Sequence, residues 1–251
     1  MATTDEDDLS VKAILETLET AHAAEEPVAA VGLRELKKRR LRQRISNVAT
    51  ALFLAEGFDN VSTARIAAAS EVSEQTVFNY FPTKESMFFD RSESFAEAIA
   101  DAVRHRGDKP LEEVLLDAMI GGVPVGLWPG VDEARAMRLF RRFCEVAESS
   151  QVLRAAPYAE AEHFTATVGA SLAERVGCEP NDPEVGLAAF VIAGLGRVSA
   201  RSAFFHVQRV PSMDALGRAV RADVIRALKI AAPTLEAFDN GHRQSGRRNR
   251  R

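Results

Sequence analysis

The chain has 251 residues, of which 46% are hydrophobic and 27% charged, with a formal net charge of −4. This composition excludes a disordered or fibrous chain, and the length predicts one or two domains. No apolar run approaches the roughly 20 residues of a membrane span, and the acidic start is unlike a signal peptide, so we expect a cytoplasmic protein without a membrane partner. Cys144 and Cys178 lie far apart, and the sequence predicts no disulfide and no metal site.

Charge is concentrated in three blocks. Residues 1–26 carry eight acids and one base, residues 34–44 carry seven bases and one acid, and residues 243–251 carry five arginines and no acid. Blocks of this kind are commonly solvated or disordered. We therefore expect an acidic, partly disordered extension over residues 1–36 and a basic tail over residues 233–251.

A clear helix follows the basic block. Apolar residues fall at positions i, i+3, i+4, i+7 and i+8, which places them on one face of an amphipathic helix. These residues are Ile45, Val48, Ala49, Leu52 and Phe53. Gly57 can end this helix with a positive φ, and Phe58 can then make the hydrophobic contact that closes such a cap.

Two short helices and the start of a third come next. Ser62 can cap an alanine-rich helix, and Ser73 can cap a second helix that Pro82 ends. Thr83 can cap a longer helix that runs towards Arg106. Two short helices joined by a tight turn, the second exposing polar and aromatic groups, are the pattern of a helix-turn-helix.

The segment of residues 44–88 resembles the DNA-binding module of the TetR family of bacterial repressors. The resemblance is strongest in the run of residues 72–85, and the clear match covers about residues 40–90. It implies an all-α protein with an N-terminal three-helix helix-turn-helix domain over residues 37–88. A C-terminal helical ligand-binding and dimerisation domain would follow over residues 89–232.

The helix after Ser73 is the candidate recognition helix. Its N-terminal residues would enter the major groove of double-stranded operator DNA, where Gln75 and Asn79 can pair with adenine edges. Val77 and Phe81 are also one helical turn apart but are apolar, so we assign them to the core. The sequence therefore predicts one reading face and one packing face.

Further DNA contacts are expected around this helix. Lys84 adds a positive charge to helix N-terminal N–H groups that favour a phosphate, and Ser62 and Thr63 mark a similar terminus. The resemblance implies that Phe78 and Tyr80 face the DNA backbone, although Phe78 lacks the hydroxyl that the family commonly has there. The complete expected set is Arg44, Ser62, Thr63, Ser73, Glu74, Gln75, Thr76, Phe78, Asn79, Tyr80 and Lys84.

The acidic block lies next to bases of opposite charge. Within it, Val11, Ile14, Leu15 and Leu18 have helical spacing. The block is expected to compete with DNA phosphates for the neighbouring bases. Deletion of residues 1–26 would then raise DNA affinity, mostly at low salt, where screening is weak.

Beyond residue 106 the chain keeps helical periodicity, interrupted by turns that contain glycine and proline. The last two predicted helices have apolar faces and small residues that allow close helix approach. The resemblance implies that this pair forms a four-helix interface with the same pair of a second subunit, in a homodimer. The predicted helices lie near residues 111–120, 132–148, 150–177, 183–207 and 212–230.

A small-molecule site is expected among the central helices, since a helical sensor needs an apolar pocket with a few polar anchors. Residues 76–84 are similar to the branch of the family with acyl-CoA-responsive C-terminal domains. The resemblance therefore implies a small apolar effector, such as an acyl-CoA, and no fixed cofactor. The candidate lining residues are Phe140, Phe143, Phe164, Phe190 and Arg197.

Two other functions are compatible with parts of the sequence. The basic blocks would suit a nucleoid-type protein that binds DNA without sequence preference. A helical enzyme with an accessory DNA module is the weaker alternative, because the Gly-x-Gly run at residues 194–196 has no preceding strand. Glu160 and His163 supply one Glu-x-x-His pair, whereas di-iron bundles use two. No catalytic residue is predicted.

Overall fold

The computed structural model describes residues 9–25, 32–121, 130–155 and 157–248. Over these residues the chain forms α-helices joined by turns, without a strand, which confirms the predicted all-α class. The helices are α1 Val11–Glu25, α2 Leu33–Glu56, α3 Thr63–Ala69, α4 Glu74–Tyr80, α5 Lys84–Phe88, α6 Asp90–Arg104, α7 Leu111–Gly121, α8 Glu133–Ser149, α9 Gln151–Ala155, α10 Pro157–Val176, α11 Pro183–Val207 and α12 Met213–Arg248.

Most helices beyond residue 106 match the predicted ranges. The helices α7, α8 and α11 begin and end within about two residues of the predictions. The single helix predicted over residues 150–177 is instead two helices, since α9 ends at Ala155 and α10 begins at Pro157. Proline lacks the backbone N–H that a helix interior requires, so it is tolerated at a helix start.

The N-terminal extension differs from the expectation of partial disorder over residues 1–36. Residues Val11–Glu25 form α1, which packs against α2. Its side chains Ile14, Leu18 and Ala21 are 0–2% exposed. Burial of this apolar face gives the acidic segment a helical structure that its charge alone would not. Residues 1–8 and 26–31 lie outside the described part of the chain.

The C-terminal end also differs from prediction. The expected basic tail over residues 233–251 is helical as far as Arg248, because α12 continues past Pro233. Leu235 and Phe238 are buried beyond that proline, so packing of this face outweighs the loss of one backbone hydrogen bond. The arginines at positions 250 and 251 fall outside the described residues.

The chain divides into two compact units. Unit 1 comprises residues 1–90 and 127–156, and unit 2 comprises residues 91–126 and 157–251. The division at residue 90 lies close to the predicted one at residue 88. It differs in that α8 and α9 belong to the unit of the helix-turn-helix and not to the other unit.

Aromatic packing connects α2, α5 and α8 inside unit 1. The ring centroid of Phe53 lies 5.0 Å from that of Phe58, and Phe88 stacks on Phe143 with centroids 4.4 Å apart. The Nε atom of Arg142 donates a hydrogen bond to the carbonyl oxygen of Leu54, with 2.7 Å between the two atoms. These contacts explain why α8 groups with the helix-turn-helix.

Unit 2 is a bundle in which α11 packs against α10 and α12. Among the described helices, α11 alone is long and apolar enough to cross a membrane, but half of that apolar segment is buried inside the protein. Burial against its neighbours accounts for this composition. Arg106 and Asp239 form a buried ion pair between the start of the α6–α7 loop and α12, which ties the far end of α12 to the bundle.

Candidate nucleic-acid interface

The helix-turn-helix consists of α3 and α4. Both of the N-caps predicted for these helices are present. The Ser62 Oγ accepts a hydrogen bond from the backbone N–H of Arg65 at 3.2 Å, and the Ser73 Oγ accepts one from the backbone N–H of Thr76 at 3.1 Å. Each hydroxyl satisfies a donor that the helix itself leaves unpaired, so both short helices start at defined residues.

The packing face of α4 is as predicted. Val77 is 0% exposed and Phe81, which follows the helix, is 1% exposed. Ile66 on α3 and Phe53 on α2 are likewise fully buried. Since residues one turn apart share a face, burial of this side fixes the rotation of α4 and leaves its opposite face in solvent.

That opposite face presents two amides. Gln75 and Asn79 are exposed, and the Gln75 Nε2 donates a hydrogen bond to the Asn79 Oδ1 at 3.2 Å. This bond aligns the two side chains and leaves the Gln75 Oε1 as an acceptor and the Asn79 Nδ2 as a donor. One acceptor and one donor are what the major-groove edge of an adenine requires.

The other residues predicted on α4 have different exposures. Glu74 is exposed, and Phe78 is 47% exposed, which is unusual for a phenylalanine. Tyr80 and Thr76 are half-buried, and the Thr76 hydroxyl lies 2.8 Å from the Ser73 hydroxyl. The structure thus places an apolar ring beside the two amides, where it can contact a sugar or a thymine methyl.

Lys84 has a structural role that the sequence did not reveal. Its Nζ donates hydrogen bonds to the carbonyl oxygens of Phe58 and Val61, at 3.0 and 3.1 Å. The same ammonium lies 4.1 Å from the centroid of the Phe58 ring. Lys84 therefore holds the loop between α2 and α3 in place, and its predicted phosphate contact remains a prediction.

Arg44 pairs with the turn of the helix-turn-helix. Its Nη2 lies 2.9 Å from the Glu71 Oε2, and both side chains are largely exposed. Glu71 has φ of 58°, in the left-handed region that favours glycine. The sequence predicted a turn here but gave no sign that a glutamate would adopt this conformation. An exposed ion pair contributes little stability, so Arg44 could exchange Glu71 for a DNA phosphate at little cost. The DNA contact of Arg44 remains a prediction.

Arg42 contacts two residues of unit 1 that lie far from it in the chain, a role that the sequence analysis missed. Its guanidinium lies 4.7 Å from the centroid of the Phe81 ring and pairs with the Asp90 carboxylate, whose side chain is 8% exposed. Phe81 directly follows α4, and Asp90 is the last residue of this stretch of unit 1. Arg42 therefore holds the end of α4 and the Asp90 side chain against α2.

The predicted ligand residues Phe140 and Phe143 belong to unit 1. Phe140 is 4% exposed, and the two rings are parallel, with centroids 6.2 Å apart. Phe143 also stacks on Phe88. Within unit 1 these two phenylalanines are part of the packed aromatic core, and their role in ligand binding remains a prediction.

The other three candidates belong to unit 2. The Phe164 ring lies 5.9 Å from that of Phe95, and a Cβ at Gly196 would lie 3.4 Å from the Phe164 Cζ. Arg197 is half-buried, whereas Phe190 is 68% exposed. Unit 2 also contains an open groove of about 340 Å³, and none of the three candidates lines it. Its lining residues are Ala102, His105, Arg106, Lys109, Val114, Asp117 and Ala118.

Sequence comparison identifies the family of this chain. Residues 45–90, which run from the second half of α2 to the start of α6, match the family described as bacterial regulatory proteins, tetR family. The HTH-type transcriptional regulator TcmR of Streptomyces glaucescens is 32% identical over 177 residues, which cover 68% of this chain and 76% of that relative. The chain belongs to the TetR family.

The solved structures that resemble this chain share little sequence with it. The TetR family repressor AlkX of Dietzia sp. strain DQ12-45-1b is 17% identical over 78% of this chain and 97% of its own, with a TM-score of 0.49. A TetR-family regulator of Streptomyces coelicolor is 19% identical over 85% of this chain and 89% of its own, with a TM-score of 0.38. With both TM-scores below 0.5, neither structure bears on the site. Family membership makes this chain a transcriptional regulator that binds DNA, in a class that is generally non-enzymatic.

Proposed function

We propose that this TetR-family regulator is a cytoplasmic repressor that binds a pseudo-palindromic operator as a homodimer and is controlled by a small apolar effector. The observation that carries the proposal is α4, which exposes Gln75 and Asn79 while Val77 and Phe81 fix it to the core. One recognition helix reads too few bases for a specific site. Two-fold symmetry would place two such helices about 34–36 Å apart, one DNA turn.

Exposed apolar side chains on α11 support the homodimer. Leu187, Phe190 and Phe205 are 56%, 68% and 55% exposed, and we name them the apolar stripe. Leu187 and Phe205 are eighteen residues apart, about five helical turns, so they share one face. Ile230 on α12 is 83% exposed. Exposed apolar residues on neighbouring helices suit burial against a second copy, and Phe190 suits this stripe better than a ligand pocket.

Control by a small apolar molecule is supported by the interior of unit 2. The Phe164 and Phe95 rings lie next to Gly196, where the absence of a side chain leaves space for an aromatic ring. Rotation of Phe164 would open an apolar volume inside the bundle. We infer an effector of acyl-thioester type or similar apolarity, which releases DNA by preferring the conformation that fits DNA poorly.

Operator selection from a randomised DNA duplex library tests the proposal. The selected sites are expected to be inverted repeats. Gln75→Ala and Asn79→Ala should each relax preference at particular positions and weaken operator binding by ~1–3 kcal/mol. Gln151→Ala, an exposed glutamine on α9, is the matched control and should bind as the wild type does. A stable dimer whose base preference survives both substitutions would show that α4 is not the recognition helix.

The effector is tested by calorimetry with a series of acyl-CoAs, with and without operator DNA. The effector should bind more weakly to the DNA complex, by the same factor by which it weakens DNA binding. Phe164→Ala, in unit 2, should abolish the response and leave operator affinity intact, whereas Phe140→Ala should also destabilise the packed core of unit 1. A compound that binds both forms equally is not the effector. A wild-type protein that selects no site at all would favour the nucleoid-type alternative.

A further inference from the structure

The basic block, residues 34–44, forms the first turns of α2 and lies upstream of the family match at residues 45–90. The side chains of Arg34, Lys37 and Lys38 are exposed. Among the described residues, no acidic side chain lies within salt-bridge distance of these three. Arg34, Lys37 and Lys38 are therefore a helical, solvent-facing cluster of positive charge that the family match does not include.

The charge pattern disfavours a helix at this place. Arg34 and Lys38 are one turn apart, as are Arg40 and Arg44, and like charges at this spacing destabilise a helix. The Arg39 Nε lies 3.4 Å from the Glu35 Oε1, which offsets only part of this repulsion. Packing of α1 against α2 supplies stability that the block lacks. A repulsive charge cluster held in a helix suggests that the charge has a partner.

Two contacts place the block beside the recognition helix. Arg44, at its C-terminal end, pairs with Glu71 in the turn before α4. Arg42 lies over Phe81, directly after α4. From there the block extends eleven residues towards the N-terminus of α2, roughly 16 Å at 1.5 Å per residue. This length corresponds to roughly five base pairs of a DNA duplex.

We propose that the basic block is a second DNA-backbone site, at which Arg34, Lys37 and Lys38 bind phosphates outside the bases that α4 reads. The inference rests on the proposed operator binding and extends its footprint into flanking DNA of any sequence. Each neutralised phosphate releases counterions and adds about 0.9 to the salt slope, the dependence of log affinity on log salt. Three contacts would add about 2.7 for each bound protomer.

The test replaces Arg34, Lys37 and Lys38 together by glutamine, which keeps helix propensity and removes charge. Binding is measured across a salt titration with the selected operator, on a duplex that ends at the operator and on one with ten further base pairs on each side. The wild type should bind the longer duplex more tightly and with a steeper salt slope. The triple variant should lose that gain, with a salt slope lower by about 2.7 per protomer and unchanged base preference.

The control carries the same charge change at exposed positions elsewhere, with Lys12, Lys109 and Arg154 replaced by glutamine. It should keep the wild-type salt slope. The charge-retaining variant Arg34→Lys should behave as the wild type. A triple variant with wild-type affinity and slope on both duplexes would overturn the proposal, as would an equal loss in the control. Failure of the wild type to bind one site specifically would instead contradict the proposed function.

Discussion

The two units treat their apolar side chains differently. Unit 1 buries Phe53, Phe58 and Phe88 in one cluster, and its exposed phenylalanine, Phe78, lies on the helix that would meet DNA. Its aromatic core is therefore completed by its own residues. Of the exposed large apolar side chains in this unit, Phe78 lies on the candidate binding face, whereas Leu33 and Val152 lie near the starts of α2 and α9.

Unit 2 exposes apolar side chains along the length of one helix. It leaves the apolar stripe on α11 exposed, while it buries polar groups between helices, such as Arg106 with Asp239. The Ser202 hydroxyl donates to the Asp223 carboxylate at 2.8 Å, and the His206 Nε2 lies 3.0 Å from the same oxygen. Polar pairs of this kind fix helix register, whereas exposed apolar residues call for a partner. This comparison supports the proposed homodimer, in which unit 2 would bury the apolar stripe.

Charging the apolar stripe should have the largest effect. With Phe190→Asp and Phe205→Asp combined, we expect a folded monomer at micromolar concentration, because four buried carboxylates would oppose the interface. Operator affinity should fall by at least about 100-fold, since one recognition helix remains. Sedimentation equilibrium and DNA titration measure both effects. Val152→Asp, at an exposed apolar position in unit 1, should leave the dimer intact. If the variant with both substitutions is still a dimer, the apolar stripe is not the dimer interface and the two units do not differ in this way.

Loss of the Lys84 ammonium should weaken unit 1 itself. In Lys84→Met the two carbonyl oxygens that accept from Nζ lose a charged donor, and we expect a loss of about 2–3 kcal/mol in the free energy of unfolding by urea. Lys38→Met, at an exposed lysine on α2, should change that free energy little. Unchanged stability with weaker DNA binding would assign Lys84 to phosphate binding alone.

Asp223 should make the stability of unit 2 depend on pH. Hydrogen bonds from Ser202 and His206 lower its pKa from the ordinary value of 3.8. A group whose pKa is lower in the folded state stabilises the fold at any pH above its pKa in the unfolded state. That stability is lost as the pH falls through its pKa in the folded state. Asp223→Asn should therefore be less stable at pH 7 and approach the wild type below about pH 4. Asp214→Asn, at an exposed ion pair, should show a smaller difference. A pH-independent difference would exclude this linkage.

Removal of the Glu112 carboxylate should have the smallest effect on stability, and it should stabilise the protein where removal of Asp223 destabilises it. Burial and the neighbouring Glu236 raise its pKa above the ordinary 4.5. A raised pKa means that the ionised carboxylate destabilises the fold. Stability is therefore lost as the pH rises from the pKa of the unfolded state through the pKa of the folded state. Glu112→Gln should raise the melting temperature at pH 7 slightly and have no effect below about pH 4. Glu113→Gln, beside Lys109, is the control and should not raise it. A lower melting temperature would show that the carboxylate is stabilised.

The sequence by itself determined the features that depend on near neighbours. The caps at Ser62 and Ser73 lie three residues from the N–H groups that they accept, and such local geometry is visible in a linear pattern. Burial of Val77 and Phe81 opposite exposed Gln75 and Asn79 follows from the helical period. The family followed from the same short segment, since its motif is local.

The tertiary structure alone decided the contacts between residues far apart in the chain. Lys84 reaches carbonyl groups 23 and 26 residues away, and Arg42 meets a carboxylate at Asp90. The α1 helix and the end of α12 were predicted as charged extensions, although the apolar residues of α1 already had helical spacing. Both are helical because burial of a few apolar side chains outweighs charge repulsion and, in α12, an internal Pro233. The stability that a helix gains from packing depends on which other helix its apolar face contacts. A local sequence pattern does not specify that partner.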